Sequence, residues 1–262
     1  MSHTGNALGN FGVEGLRQSR ILTPFVAAQN LKNVLHCWYN ADFLNVDANG
    51  LVSGALDLTR RGNNGTQTTE ANRLTYFPSD AMFGGLPSFG SNTNTGFKHI
   101  LAGVQTPLVR AICSAYYKSG IESTFTEIVG IIGNISGAGS YVRSSGTGGS
   151  AFTSAIFASG TYSKNGIGNV PFSSTVLPLP ASTLVFTSGS TVTQRTWGFC
   201  NGGTGTTDQS WIGGFRNLII VPGFISAAQV ALIEGVMAWD GKHQYLLAAN
   251  HPYRFIPPLV RD

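Results

Sequence analysis

The stretch from Ser210 to Pro258 decides the fold: SWIGGFRNLIIVPGFISAAQVALIEGVMAWDGKHQYLLAANHPYRFIPP. Within it, Gly214–Val221 is an almost continuous apolar run, typical of a strand that is buried on both faces or covered by a helix. Pro222-Gly223 ends that strand. One helix and an ordered Pro-rich tail follow. Almost everything before this stretch is predicted to form short strands and Gly-rich turns.

Local signals define the helix that follows the strand. Ser226 is the predicted N-cap, because its hydroxyl can accept an unpaired backbone N–H of the first turn. Gln229 lies three residues further on, which is the spacing of a capping box. The helix is predicted to end near Gly241, with this glycine in the left-handed conformation. Its largely apolar sequence predicts that it packs against the body of the protein.

Composition favours a tightly turned β protein. The chain has 262 residues, 42% of them hydrophobic and only 11% charged, and it contains 34 glycines. These values exclude a disordered polymer and suit one large β domain or two small ones. The net charge is +4, and Arg60-Arg61 is the one adjacent pair among 16 scattered Lys and Arg. We therefore expect no nucleic-acid partner.

Cysteine usage and the termini bear on the compartment. Cys37, Cys113 and Cys200 are odd in number, far apart and without a CxxC spacing, so a disulfide framework or a zinc site is not expected. We interpret them as small buried hydrophobes. The first residues lack the pattern of a secretory signal, and no stretch approaches the ~20 apolar residues that span a bilayer. We expect a soluble protein without membrane insertion, assembled inside a reducing cell.

The chain is divided into an N-terminal arm, residues 1–33, and one body, residues 34–262. Gly, Asn and Gln dominate the start of the arm, but Phe11, Leu16 and Phe25 supply apolar anchors. The arm either docks on a partner or on its own body, or is a simple lead-in to the first strand.

Short strands separated by Gly, Asn, Ser and Pro predict a β-sandwich for the body. The body begins with the strand VLHCWY at residues 34–39. Residues 40–67 are predicted to be a chain of turns with two Asn-Gly pairs. The further predicted strands are Arg73–Phe77, Gly96–Leu101, Leu108–Tyr117, Phe125–Ile132, Ser140–Arg143, Ala151–Ala158, Thr161–Lys164, Thr183–Thr187 and Gln194–Cys200.

The segment WYNADFLNVDANGLVSGALDLTRRGNNGTQ, residues 38–67, resembles the first strands of concanavalin A-like, laminin G-like jelly-roll domains of phage and bacterial surface proteins. The C-terminal part is similar to the ending of that family. The matching positions are Trp38, Asp42, Val52, Asp57, Leu58, Gly62, Asn64, Thr66 and Gln67, then Gly214, Ser226, Ala227, His251, Pro252, Tyr253, Pro257 and Pro258.

The resemblance covers about residues 34–258 and departs from the family pattern in two places. Ala55 stands where the family often has a Trp, and residues 240–243 replace a Lys-Trp-Gly-like segment. The resemblance implies two antiparallel sheets with a concave face. The family includes lectin-like binders, glycanase modules and virion proteins, so the fold alone does not determine the function.

Glycan hydrolysis on this fold requires two carboxylates about 5 Å apart. The chain has 12 Asp and Glu in total, and Glu122 and Glu127 are five residues apart, so they face opposite sides of a regular strand. The GTGGS segment at residues 146–150 lacks the G-x-S-x-G spacing of a nucleophile elbow. We therefore predict no enzyme, no catalytic residues and no cofactor.

Two groups of residues raise the question of a metal. His243 and His251 are eight residues apart with Asp240 nearby, but we interpret them as a helix-end and a turn histidine. Asp42 and Asp47 lie among asparagines in an oxygen-rich loop that could hold calcium. Asx-turn chemistry also explains this loop and is the interpretation we favour. No metal site is predicted.

Five residues on or beside strands are the candidate glycan-binding residues: Tyr116, Tyr117, Arg195, Trp197 and Trp211. Aromatic rings stack on sugars, and polar side chains contact the hydroxyl groups. Core packing is the alternative for each of them. Tyr116 and Tyr117 are adjacent, so they point to opposite faces and at least one is expected to be exposed.

These observations lead to the hypothesis of a non-enzymatic phage virion protein: a capsid decoration, head-fibre or tail-fibre component. The arm would attach it to other virion proteins, while the sandwich faces outward and binds host-surface glycans. A homo-oligomer is expected because such proteins occupy symmetric positions. The alternative is a carbohydrate-binding module of a bacterial surface or secreted protein. A divergent glycan-cleaving enzyme is the third hypothesis.

Overall fold

The computed structural model describes residues 21–103, 106–134, 141–155, 157, 160–201 and 209–259. These residues form two α-helices and sixteen strands, and the strands pair antiparallel. The helices are α1 (Pro24–Asn30) and α2 (Ala227–Asp240). The strands are β1 (Cys37–Asn40), β2 (Leu44–Val46), β3 (Leu51–Ala55), β4 (Gly65–Thr66), β5 (Leu74–Asp80), β6 (Leu86–Ser91), β7 (Ile100–Leu101), β8 (Thr106–Ala115), β9 (Gly130–Asn134), β10 (Tyr141–Ser144), β11 (Phe152–Ser154), β12 (Thr161–Lys164), β13 (Ile167–Pro171), β14 (Ser182–Arg195), β15 (Trp197–Phe199) and β16 (Gly213–Val221).

Strand β16 has neighbours on both edges. All nine of its residues are buried. One edge pairs with β8, and the other pairs with β6 at residues 213–215 and with β1 at residues 217–220. The structure thus confirms that the apolar run near the C-terminus is a strand buried on both faces.

The strands form two layers around an aromatic core. The hydrogen-bonded order is β11-β10-β9-β15-β7-β4-β3-β5-β6-β16-β8-β14-β12-β13. Strands far apart in this order meet face to face: the rings of Phe152 in β11 and Phe186 in β14 lie 5.5 Å apart. Strand β1 lies off this order and pairs with β16, and its Tyr39 ring lies 6.4 Å from that of Phe199 in β15. The fold is therefore the predicted all-β antiparallel sandwich with a C-terminal helix.

The N-terminus of α2 has the predicted cap. The Ser226 hydroxyl accepts the backbone N–H of Gln229 at 3.2 Å, and the Gln229 side chain accepts the N–H of Ser226 at 2.8 Å. The C-terminus differs from the prediction, because Gly241 has a φ of −86°. Lys242 takes the left-handed conformation instead, with a φ of 56°. The Gly241 N–H still bonds to Met237, so the chain reverses one residue later than predicted.

A second apolar core lies on the outer face of the β1–β16–β8–β14 layer, under both helices. The strands contribute Trp38, Ile112, Val185 and Ile219. Helix α2 covers them with Ile233, Val236 and Met237, and the first helix adds Ala27 and Ala28. Both faces of this layer are thus covered by apolar side chains. This explains why β16 lacks the alternation of apolar and polar residues that a half-exposed strand shows.

Helix α1 was not predicted from the sequence, and it changes the boundary of the arm. Thr23 caps it, Pro24 occupies its first turn, and Ala27 and Ala28 are fully buried against the body. Residues 21–33, assigned to the arm by the sequence, therefore belong to the folded body. Residues 1–20, with the predicted anchors Phe11 and Leu16, lie outside the described residues.

Other boundaries in the body also differ. The predicted chain of turns at residues 40–67 contains the β2–β3 hairpin, whose turn holds Gly50 with a φ of 74°. The predicted strand Phe125–Ile132 is a loop up to Val129, and β9 begins at Gly130. Strands β6 and β13 were missed, because β6 carries a Pro and a Gly and β13 is largely exposed. Neither helix of the described chain has the length and apolar composition that crossing a membrane requires.

Candidate functional site

The aromatic residues predicted to bind glycans lie in the core. Tyr117, Trp197 and Trp211 have no exposed surface, and Tyr116 is buried as well. The backbone of Arg195 pairs with Thr106, while its side chain lies outside the described part of the structure. The structure therefore places the four aromatic side chains where they cannot stack on a sugar ring.

The polar atoms of these aromatic residues face inward too. The Trp197 indole donates to the Thr106 carbonyl at 2.9 Å, and the Trp211 indole donates to the Tyr116 carbonyl at 2.9 Å. The Tyr116 hydroxyl donates to Asp80 at 2.9 Å. Alternation predicted one exposed tyrosine, but both residues lie just beyond the end of β8. Tyr117 belongs to the main core, and Tyr116 packs with Phe83 and Ala181 in a smaller cluster.

The Asp42 and Asp47 loop uses its carboxylates within the protein. Asp47 accepts the backbone N–H of Leu51 at 2.9 Å and pairs with Arg73 at 2.8 Å. The backbone hydrogen bonds to Asp47 outweigh its partial desolvation and hold its pKa below the ordinary value. Asp42 pairs with Arg216 at 2.7 Å. Each carboxylate thus already has a cation, and Asx-turn contacts explain Asp47.

The other residues considered for catalysis or metal binding do not form a common site among the described residues. Glu122 accepts the Ser119 hydroxyl at 2.7 Å and, like Glu127, lies in the loop before β9. The His243 ring is buried, with Nε2 3.0 Å from the Thr183 hydroxyl. Over the residues that the structure describes, no three His, Cys, Asp or Glu side chains are grouped to hold a metal ion.

His251 has a separate partner. Its Nε2 lies 3.6 Å from the Glu234 carboxylate, and its Nδ1 accepts the backbone N–H of Tyr253 at 3.2 Å. The second oxygen of Glu234 accepts the Ser163 hydroxyl at 3.3 Å. This contact joins the tail to α2 and to β12, and it does not involve His243.

A buried ionic network ties α2 to the sheet, and the sequence did not predict it. Arg216 on β16 pairs with Asp240 at the end of α2, with Nε 2.8 Å from Oδ2, and also with Asp42. Asn40 and Asn217 donate to the same Asp240 oxygen at 3.0 and 2.9 Å. The donors and acceptors are matched, so this network is structural.

The first described residues and the C-terminal tail form an apolar surface. Ile21 and Leu259 form an antiparallel bridge, and the Leu22 N–H donates to the Pro258 carbonyl at 2.7 Å. Ile21 and Leu259 are exposed, and Phe255 and Ile256 in the same tail are 77% and 64% exposed. We call Ile21, Phe255, Ile256 and Leu259 the terminal surface. Phe255 and Ile256 lie shortly before Leu259 in the chain, so we take these four exposed apolar side chains as a candidate interaction surface.

A groove adjoins the terminal surface. It has a volume of about 370 Å³ and is lined mainly by α2 and the tail, with Leu232, Tyr253 and Leu259 among its walls, while Leu22 and Asn30 complete it. Residues 1–20 enter the body at Ile21, directly beside this groove. The terminal surface and its groove are the candidate functional site of the described chain.

The class that the structure defines is an all-β antiparallel sandwich with a helix-covered outer face. Comparison with known proteins gives no relative: no family model, no curated protein and no solved structure matches the chain.

Proposed function

We propose that the chain is a non-enzymatic structural protein of a phage virion surface, a capsid decoration, head-fibre or tail-fibre component assembled in the host cytoplasm. Residues 1–20 attach it to other virion proteins. The observation that carries this proposal is the pairing of Ile21 with Leu259, because it places the entry of residues 1–20 on the terminal surface.

The terminal surface supports an attachment role through its chemistry. Phe255 and Ile256 expose large apolar side chains that would gain free energy by leaving water, at roughly 25 cal/mol per Å² buried. A partner that contacts residues 1–20 would also cover these side chains. Attachment at one end leaves the rest of the sandwich free to face outward.

The use of carboxylates supports a non-enzymatic role. The described buried acids accept structural hydrogen bonds: Asp57 accepts the Thr59 hydroxyl and the Trp38 N–H, and Asp80 accepts the Tyr116 hydroxyl. Glycan hydrolysis needs a pair of carboxyl groups facing a shared cleft. Asp57 and Asp80 instead stabilise a turn and the packing of neighbouring strands.

Particle incorporation tests the proposal. Particles carrying the full chain, a chain lacking residues 1–20, or a Phe11→Ser/Leu16→Ser double variant are purified, and the protein per particle is measured by mass spectrometry. We expect the full chain in particles and both variants to be depleted. Ile121→Ser is the matched control, since Ile121 is an exposed apolar side chain outside the terminal surface.

Two results would contradict the proposal. Absence of the full chain from purified particles would reject a virion role. Normal incorporation of the shortened chain would reject attachment through residues 1–20. Circular dichroism of the shortened chain shows whether it is folded. If the shortened chain is unfolded, the incorporation of the Phe11→Ser/Leu16→Ser variant decides the test instead.

A further inference from the structure

A cationic pocket lies between the end of α1 and the turn at residues 59–61. Its volume is about 460 Å³, within the range of small-molecule sites. We call its six lining residues the basic pocket. They are Gln29, Lys32, Asn33, Thr59, Arg60 and Arg61. We propose that the basic pocket binds the carboxylate of an acidic saccharide, which goes beyond the attachment role proposed above.

The structure holds both arginines of the basic pocket in place. The Arg60 guanidinium lies 4.8 Å from the centre of the Phe25 ring on α1. Arg61 Nη1 donates to the carbonyls of Lys32 and Leu35 at 3.2 and 3.0 Å. Ordered side chains lose less conformational freedom on binding, so these arginines are suited to capture an anion.

The backbone at Arg60 is a second sign of a built site. Its φ is 58°, in the left-handed region that favours glycine. A left-handed non-glycine residue kept in a turn requires support from its surroundings. Here it is found at one of the two adjacent arginines that line the pocket.

The charges in the basic pocket have no counter-ion among the described residues. Lys32, Arg60 and Arg61 contribute three positive charges, and no Asp or Glu lines the pocket. The ion pairs of the described chain belong to other residues. Asp57, the nearest acid in sequence, points inward and accepts the Thr59 hydroxyl. An oxyanion would therefore meet a positive field.

The shape and the neutral walls favour a saccharide. Arginine guanidinium groups bind carboxylates through paired hydrogen bonds. The Gln29 and Asn33 amides can donate to and accept from sugar hydroxyls. A nucleic acid needs a longer track of cations, whereas these three are confined to one pocket.

Calorimetry on the full chain tests the proposal at low salt, with tetragalacturonate as the acidic probe and neutral galactotetraose as its control. We expect binding of the first and none of the second. An Arg60→Gln/Arg61→Gln variant should weaken binding by at least about tenfold, since it removes both guanidinium groups and their charge-assisted hydrogen bonds to the carboxylate. Lys32→Gln should weaken the binding of tetragalacturonate by a smaller factor, and it leaves the arginine contacts in place. This variant therefore tests the pocket if the double arginine variant is unfolded.

Arg254→Gln is the matched control, because the Arg254 guanidinium lies 5.3 Å over Phe255 and donates to the Leu247 carbonyl, outside the pocket. The affinity of the Arg254→Gln variant for tetragalacturonate should equal that of the unchanged chain. Equal binding of the neutral saccharide, no binding of tetragalacturonate, or tighter binding of oligo-dT or inorganic phosphate would each overturn the proposal. These results do not depend on particle attachment.

Discussion

Arg216 and Asp240 form a buried ion pair, with Arg216 Nε 2.8 Å from Asp240 Oδ2, that joins the central strand to the last residue of α2. Burial lowers the pKa of Arg216, but the charges of Asp240 and Asp42 raise it by more than burial lowers it. The pKa therefore lies above its ordinary value. The guanidinium stays charged where water does not reach it.

Replacing Asp240 with Ala is expected to destabilise the protein by about 3–5 kcal/mol, since a buried arginine then loses the more buried of its two counter-charges. Urea unfolding followed by tryptophan fluorescence measures the free energy. The control is Asp47→Asn, which breaks the more exposed pair with Arg73 and should have a much smaller effect. Equal losses for the two variants would mean that the buried pair contributes no more than the surface one.

Lowering the pH should destabilise the fold through His243. Burial, aided by the charge of Arg216, lowers its pKa from 6.5 to about 4. Between these values the unfolded chain binds a proton that the folded protein does not, so stability is full above pH 6.5 and falls as the pH drops towards 4.

A His243→Gln variant should lose less stability than the unchanged chain between pH 7 and pH 4.5, because glutamine does not titrate. Urea unfolding at both values measures the difference. Thr183→Val is the control: it removes the hydrogen bond to His243 but leaves the histidine titrating, so its pH dependence should persist. The same pH dependence in His243→Gln and the unchanged chain would contradict this assignment.

The three cysteines should be unreactive in the folded protein. Cys37, Cys113 and Cys200 are free and buried, and burial raises the pKa of Cys37 to about 12 and those of the other two as well. Thiolate is the reactive form. We expect no rapid reaction with a disulfide reagent under native conditions and three reactive thiols in guanidinium. Rapid native labelling of any one would contradict the burial of that cysteine.

Helix α1 should be required for stability, although it precedes the predicted body. Ala28→Asp places a charge in the core under α1 and is expected to cost roughly 3 kcal/mol or more. Asn30→Asp, at an exposed position of the same helix, should stay within about 0.5 kcal/mol. Thermal unfolding compares them. Removing residues 1–33 should abolish cooperative unfolding, whereas removing residues 1–20 should not. A cooperative, unchanged transition without residues 1–33 would show that α1 is dispensable.

The sequence indicated some features of the terminal surface and of the basic pocket. The apolar character of Ile21, Phe255 and Ile256 is a property of single residues, but their exposure depends on where the tail lies. Arg60-Arg61 was visible as an adjacent pair. That it faces Lys32 across a pocket could not be read from the sequence, because α1 has no strong periodic signal and its position is set by packing.

The sequence by itself determined the buried strand β16, the capped start of α2 and the all-β class, because apolar periodicity and Ser226–Gln229 capping act over a few residues. Only the tertiary structure decided that Trp197 and Trp211 are core residues, that residues 21–33 join the body, and that Arg216 meets Asp42, 174 positions away. These outcomes depend on which surfaces meet when the layers close, and contacts between distant residues leave no local pattern in the chain.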